Sequence, residues 1–309
     1  MTTVPIHGNY HGYYTKRPFV SDERLVALPP DLFRGAQVLD IGCNEGWVTC
    51  EIGTVCFSTF LHHSHDRLSQ PEWYTAQSYG ARCVVGVDID DSLIQGAWRR
   101  RRAVWSMQAP TQPRTSSESD GNPSDNPAPK KKRKVQHPDG TQATEQMPTR
   151  LIQSHYFPAS CEHEFGSLPI PPSSNRGKDV FPHNISFRTA DWTQKEIPEN
   201  SGGYDVVVGF SISKWIHLNQ GDDGLKAFFR RVYDVLKPGG TFVLEPQSWD
   251  SYAKARRGNQ KLKENAQKLD IRPADFEAIL REIGFGPVRH FGTVGEGGFS
   301  RPVDLYTKP

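Results

Sequence analysis

Hydrophobic residues along this chain follow two periods that alternate. Short apolar runs at Gln37–Ile41, Cys83–Asp88, Ile185–Thr189, Tyr204–Phe210 and Thr241–Glu245 have the length and β-branched content of strands covered on both faces. Helical segments are predicted between them, from about Trp47 and from about Ser92. Leu225, Phe228, Phe229, Val232 and Leu236 fall at i, i+3, i+4, i+7 and i+11, one face of an amphipathic helix that Pro238-Gly239-Gly240 stops. Pro273 suits the first turn of another helix running to about Ile283, with Gly284 as its cap. Val288–Phe291 and Val303–Tyr306, split by a glycine-rich turn, predict a closing antiparallel pair. Repeated β–α units predict an α/β fold with a doubly wound, mostly parallel sheet. In such a sheet ligands bind at the carboxyl ends of the strands.

The pattern lapses between residues 106 and 180. Pro, Ser, Thr, Gln, Asn and charge dominate there, and Gln112–Asn126 has no aliphatic residue. A segment so poor in apolar surface does not offset its ordering entropy, so residues 106–180 are predicted to be a disordered insertion. The whole chain, 1–309, is then one domain, leaving about 235 residues for the folded part. The insertion carries Lys130-Lys131-Lys132-Arg133-Lys134, a short basic run in the form read by a nuclear import receptor and resembling a viral monopartite import signal. It makes the nucleus the expected location. A second run, Arg99–Arg102, is expected at a helix C-terminus, where cations complement the dipole, or on an RNA-facing patch.

Composition removes several classes. A net charge of +2 confines any nucleic-acid surface to a local patch. Five cysteines without regular spacing argue against a disulfide framework. The start of the chain has no apolar core of signal-peptide length, and no apolar run is long enough to cross a bilayer. No membrane partner is expected. His62, His63 and His65 stand in a long connection and are expected to be solvated, not to hold a metal.

The chemistry begins at Asp40-Ile41-Gly42-Cys43-Asn44-Glu45-Gly46-Trp47, a strand end, a glycine turn and a helix start. Glycine lets the backbone approach a ligand, and a helix start offers unpaired N–H groups. Asp88, at the tip of the second strand, is placed to accept hydrogen bonds from ribose hydroxyls. Dinucleotide binders need G-x-G-x-x-G, and here Asn44 replaces the second glycine. Asp40 would repel a pyrophosphate and suits a cationic ligand such as S-adenosylmethionine.

This order of elements resembles a class I S-adenosylmethionine-dependent methyltransferase with a seven-stranded, Rossmann-like sheet. Longer motifs narrow the resemblance: G-N-Y-x-x-Y-Y from Gly8, V-L-D-I-G-C-N-x-G from Val38, S-K-W-I-H-L-N-x-G-D-x-G-L from Ser213, L-E-P-Q-x-W-x-S-Y from Leu244 and G-F-x-R-P-V from Gly298. Together they resemble the RNA 5′-methylphosphate capping enzymes of the bicoid-interacting-protein-3 type. The resemblance implies methyl transfer to the 5′-terminal phosphate of a small non-coding RNA, with the γ-phosphate the expected acceptor, although both triphosphate and monophosphate ends present a terminal dianion. It implies that Tyr14, Arg24, Gly42, Cys43 and Asn44 line the S-adenosyl-L-methionine site together with Asp88, Ile89, Asp191, Trp192 and Phe210, Arg24 pairing with the methionine carboxylate.

Lys214 and Arg17 are the candidate phosphate grip, because arginine binds phosphate through paired bonds and lysine as a point charge. Tyr13 would donate a hydrogen bond, and His217 would touch the phosphate or first ribose, or else pack. Trp249 would stack on a base or fill the core. The sequence at the end of strand four, Phe210-Ser211-Ile212-Ser213, lacks the [DN]-P-P-[FYW] motif of enzymes that methylate base amines. Two other readings stand beside this one: a nuclear RNA-binding assembly factor that does not depend on catalysis, and a small-molecule or protein O-methyltransferase.

Overall fold

The computed structural model describes residues 7–14, 21–54, 79–106, 159–173 and 177–309. Arg17, the basic run at 130–134 and the histidines at 62–65 lie outside the described residues. In chain order the elements are α1 (Glu23–Ala27), β1 (Gln37–Ile41), α2 (Trp47–Gly53), β2 (Cys83–Asp88), α3 (Asp91–Ser106), α4 (Ala159–Phe165), β3 (Ile185–Thr189) and β4 (Tyr204–Phe210). They continue with α5 (Ser213–Val235), β5 (Leu236–Glu245), α6 (Trp249–Ala255), α7 (Gln260–Ala266), α8 (Phe276–Ile283), β6 (Arg289–Val294) and β7 (Arg301–Thr307). Of the expected insertion, α4 and the residues around it are described.

The seven strands lie in the order β3-β2-β1-β4-β5-β7-β6. The first five are parallel, and β7 runs antiparallel to both β5 and β6. This is the class I methyltransferase arrangement. Side chains alternate across the sheet, so each apolar run feeds two cores. Val38, Val84, Val206 and Val243 pack on one face with Leu25, Ile52 and Ile94. Leu39, Val85, Val207 and Leu244 pack on the other with Phe228, Phe229 and Phe276. The order reverses between β1 and β4, which opens the crevice at their carboxyl ends.

Three expectations change. Leu236, read as the last apolar position of a helix, opens β5 and pairs with Tyr204; an irregularity in register follows before Val206 meets Thr241. The helix thus ends at Val235. It begins much earlier than expected, at Ser213, and breaks at Gly221 (φ 72°, ψ −172°). The arginine run does not end a helix, since α3 continues to Ser106. Three of its four members are structural: Arg101 donates to the carbonyls of Pro182 and Ile185, Arg102 to those of Ser167 and Leu168, and Arg100 lies over the Trp47 ring.

Gly46 starts α2 at φ +74°, and a Cβ there would lie 2.8 Å from Phe187 Cζ and 2.9 Å from Ala97 Cβ. Gly239, at φ +76°, has no neighbour within 4 Å of that position. Gly46→Ala is therefore expected to add overpacking to backbone strain. It should lower stability by about 1–3 kcal/mol more than Gly239→Ala, which costs only about 1–2 kcal/mol of strain. Urea unfolding midpoints of the two variants check this.

Candidate active site

The carboxyl ends of β1, β2 and β4 open on one cleft of about 970 Å³, at the upper end of ordinary ligand pockets. After β1 the chain turns at Gly42 (φ +74°), where a Cβ would strike Ile212 Cγ2 at 2.3 Å. Asn44 is also left-handed, at φ 51°. Its Nδ2 donates to the Tyr10 carbonyl at 3.1 Å, while its buried Oδ1 has no partner among the described residues. Asp88 Oδ2 accepts from the Asn44 N–H at 2.9 Å, and Oδ1 accepts from the Asp90 N–H at 3.0 Å. Burial pushes the Asp88 carboxyl up from its ordinary range. Burial likewise raises Asp40 to about 6, although the Thr49 hydroxyl donates to it at 2.6 Å.

A segment ahead of α1 crosses this cleft. Asn9 Nδ2 donates to Asp90 Oδ2 at 2.7 Å on the β2 side. Tyr10 meets the Trp215 ring at 5.8 Å on the α5 side. Tyr14 stacks on Trp47 at 5.5 Å, and Tyr13 packs edge-on against Phe299 at 5.5 Å. The Tyr13 hydroxyl lies 3.3 Å from Ser211 Oγ.

Arg24 lies beneath, with 1% of its surface exposed. It donates to Asp22 at 2.6 Å, to Glu245 at 3.0 Å and to the Tyr14 hydroxyl at 3.2 Å, and it covers the Phe210 ring. Burial opposes its charge, but Asp22 and Glu245 outweigh burial and raise its pKa. Its guanidinium is thus already shared by two protein carboxylates, and a ligand carboxylate would join them, not meet an unpaired cation. Phe210, Ile89, Asp191 and Trp192 also line the cleft, though the Trp192 ring packs on Phe228 in the core. Asp191 holds its own turn by accepting from Thr193 N–H and Oγ1. Cys43 does not reach the cleft. It is 2% exposed and turns into the core, where its thiol faces the Asn44 carbonyl.

The other end of the cleft is cationic. Lys214 starts α5 with its N–H on Gln247 Oε1 at 3.1 Å and its Nζ 4.8 Å from the Trp215 ring centre. Burial, then the charges of Arg301 and Lys254, lower its pKa to about 8. Arg301, Lys254 and Arg257 line the same end. The sequence reading did not assign these three. Arg301 stood in a quoted motif, but Lys254 and Arg257 carry no local signal that separates them from solvated cations.

His217 is not brought to the cleft, which corrects its expected contact with phosphate or ribose. Trp215, Ile216, Asn219 and Gln220 face the opening. His217 is fully buried, with Nε2 2.6 Å from Asp222 and Nδ1 3.2 Å from the Tyr252 hydroxyl. Trp249 also packs, against Tyr252 at 4.6 Å and under the Arg272 guanidinium.

The profile of the bicoid-interacting protein 3 (Bin3) family matches residues 204–308. Along 98% of its length the chain is 34% identical to the 7SK snRNA methylphosphate capping enzyme of Mus musculus, but it spans only 40% of that relative. It is 28% identical to a U6 snRNA methylphosphate capping enzyme of Drosophila melanogaster, covering 98% of this chain and 74% of that one. It is 30% identical to a probable RNA methyltransferase of Arabidopsis thaliana, covering 97% of this chain and 79% of that one. With similarity that runs nearly end to end, and with the family's profile across β4 to β7, the chain belongs to the bicoid-interacting protein 3 family.

Proposed function

We propose that this protein is an S-adenosylmethionine-dependent O-methyltransferase acting on the 5′-terminal phosphate of an RNA. The observation that carries this reading is the division of one cleft into two chemical ends. One has the Gly42–Asn44 turn and two acceptors, the Asp88 carboxylate and an Asn44 oxygen without a partner among the described residues, which suit ribose hydroxyls and an ammonium group. The other gathers Lys214, Arg301, Lys254 and Arg257. Relatives similar over nearly the whole chain are named as methylphosphate capping enzymes, which supports the same reading.

The residues of the first end fit S-adenosylmethionine. When bound there, it supplies an electrophilic sulfonium methyl, and the carbon–sulfur bond breaks as the phosphate oxygen bonds to carbon. The acceptor needs little help from a base, because a terminal phosphate with a pKa near ~6 is largely dianionic at neutral pH. The work left to the protein is orientation. Lys214 and Arg301 hold the non-attacking oxygens, and Tyr13 adds a hydrogen bond. The crossing segment with Tyr10 and Tyr13 limits water at the reacting atoms. Lys254 and Arg257 lie where the rest of the phosphate chain or the following nucleotide would run. The run Lys130–Lys134 is proposed to serve nuclear import; alanines in its place should leave a fluorescent fusion outside the nucleus.

Transfer of labelled methyl to RNA bearing a 5′-triphosphate, a 5′-monophosphate or a 5′-hydroxyl tests the function. Label on a phosphate end and none on the hydroxyl end is expected; equal labelling of all three refutes it. Lys214→Ala should lower kcat/KM about 10²–10³-fold, as for loss of one preorganised charge.

The pH profile follows from the same lysine. Lys214 is cationic below its lowered pKa of about 8 and neutral above it. In the wild-type protein kcat/KM for RNA should therefore decline above about pH 8, and Lys214→Arg should keep its charge and lose that alkaline limb. An unchanged limb in Lys214→Arg would assign the decline to another group.

A further inference from the structure

The end of β4 carries a residue that the grip described above leaves unexplained. Ser211 sits at φ +61°, a region that strains a side chain and that glycine enters freely. Outliers of this kind persist where the surroundings fix them, and they gather at functional sites. Here the surroundings are three separate elements meeting at one oxygen. Ser211 Oγ donates to Glu245 Oε2 at the end of β5 and accepts from Arg301 Nη1 at the start of β7. It also lies 3.3 Å from the Tyr13 hydroxyl of the crossing segment. The backbone is pinned as well: Ser211 N–H donates to the Glu245 carbonyl at 3.2 Å, and its own carbonyl accepts from Gln247 Nε2.

Glu245 is fully buried and among the described residues has two guanidinium neighbours, Arg24 at 3.0 Å and Arg301 at 3.9 Å. The longer separation is beyond a hydrogen bond, and the serine hydroxyl bridges it. We propose that Ser211 is a positioning residue for the terminal phosphate. Its hydroxyl keeps Arg301 from closing onto Glu245, so that the guanidinium faces the acceptor. Without the hydroxyl, the attraction of a buried carboxylate draws Arg301 inward and neutralises it. A glycine, although easier for the backbone, would lose this spacer. The inference rests on the proposed phosphate acceptor.

Ser211→Ala and Ser211→Gly both remove the hydroxyl, and only the glycine variant removes the strain. Both should weaken binding of 5′-triphosphate RNA about tenfold, the scale of a lost hydrogen bond to a charged group. Binding of 5′-hydroxyl RNA and of S-adenosylhomocysteine should stay unchanged by calorimetry. Ser211→Gly should unfold at higher urea than Ser211→Ala while losing as much binding, so the loss does not follow stability. In an Arg301→Gln background the effect of Ser211→Ala should vanish, as it must if the serine acts through that arginine. If Ser211→Gly keeps the wild-type preference for phosphate ends, or the loss persists in Arg301→Gln, the inference is overturned while the function stands. If the wild-type protein shows no preference for phosphate ends, both fall.

Discussion

The site is organised around one fully buried carboxylate, Glu245 at the end of β5. Burying a charge costs several kcal/mol, about as much as its partners return, so such a group is weak evidence for stability. What it gives here is register. Arg24 brings α1 and the Asp22 turn to it, Ser211 brings the end of β4, and Arg301 brings the start of β7. Elements far apart in sequence thereby meet at one point beneath the cleft. Breaking the set by removing a single partner would leave a charge without compensation, so the cluster behaves as a unit.

That cluster also separates the two ends of the cleft electrostatically. Arg24 is held charged by Asp22 and Glu245 and contributes little net charge to the opening. The acidic Asp40 and Asp88 sit on the β1–β2 side, raised by burial but held by Thr49 and by backbone N–H groups. Across the cleft, Lys214 is buried and also crowded by Arg301 and Lys254, and it holds its proton less firmly than an exposed lysine. A cationic ligand belongs on the first side and an anion on the second. The arriving anion relieves the repulsion among the cations, so part of its binding energy comes from strain already present in the free site.

Most of the sheet was readable because its strands are buried on both faces, which makes continuous apolar runs such as Val206-Val207-Val208. The glycine turn was readable because left-handed backbone and close approach demand particular residues at Gly42 and Gly46. Where the sequence misled, the deciding interaction was tertiary. Leu236 fits a helix face but is taken by pairing with Tyr204. His217 was grouped with Lys214 by proximity in sequence, yet Lys214 stands in the first turn of α5 at the cleft, whereas His217 is held in the core by Asp222 and Tyr252. The helices α6 and α7 are seven residues each and too short to show a period, so Lys254 looked like any solvated lysine. The arginines of α3 read as cations complementing a helix end or facing RNA, whereas Arg101 and Arg102 are taken by carbonyls contributed by the returning chain.

The adjacent tyrosines of the crossing segment show how the two ends are coupled. The Tyr14 hydroxyl accepts from Arg24 and its ring stacks on Trp47, on the side assigned to the methyl donor. Tyr13 turns its hydroxyl to Ser211 and its ring to Phe299, on the side assigned to the acceptor. Consecutive residues cannot shift independently, since a displacement of this backbone by an ångström moves both hydroxyls. The segment is latched at Asp90 by Asn9 and rests on Trp215 through Tyr10, so its position depends on both walls of the cleft. Filling either end therefore fixes the segment for the other. In-line transfer needs the two reactants aligned within a fraction of an ångström, and a shared strap set by both walls supplies that alignment without a separate hinge.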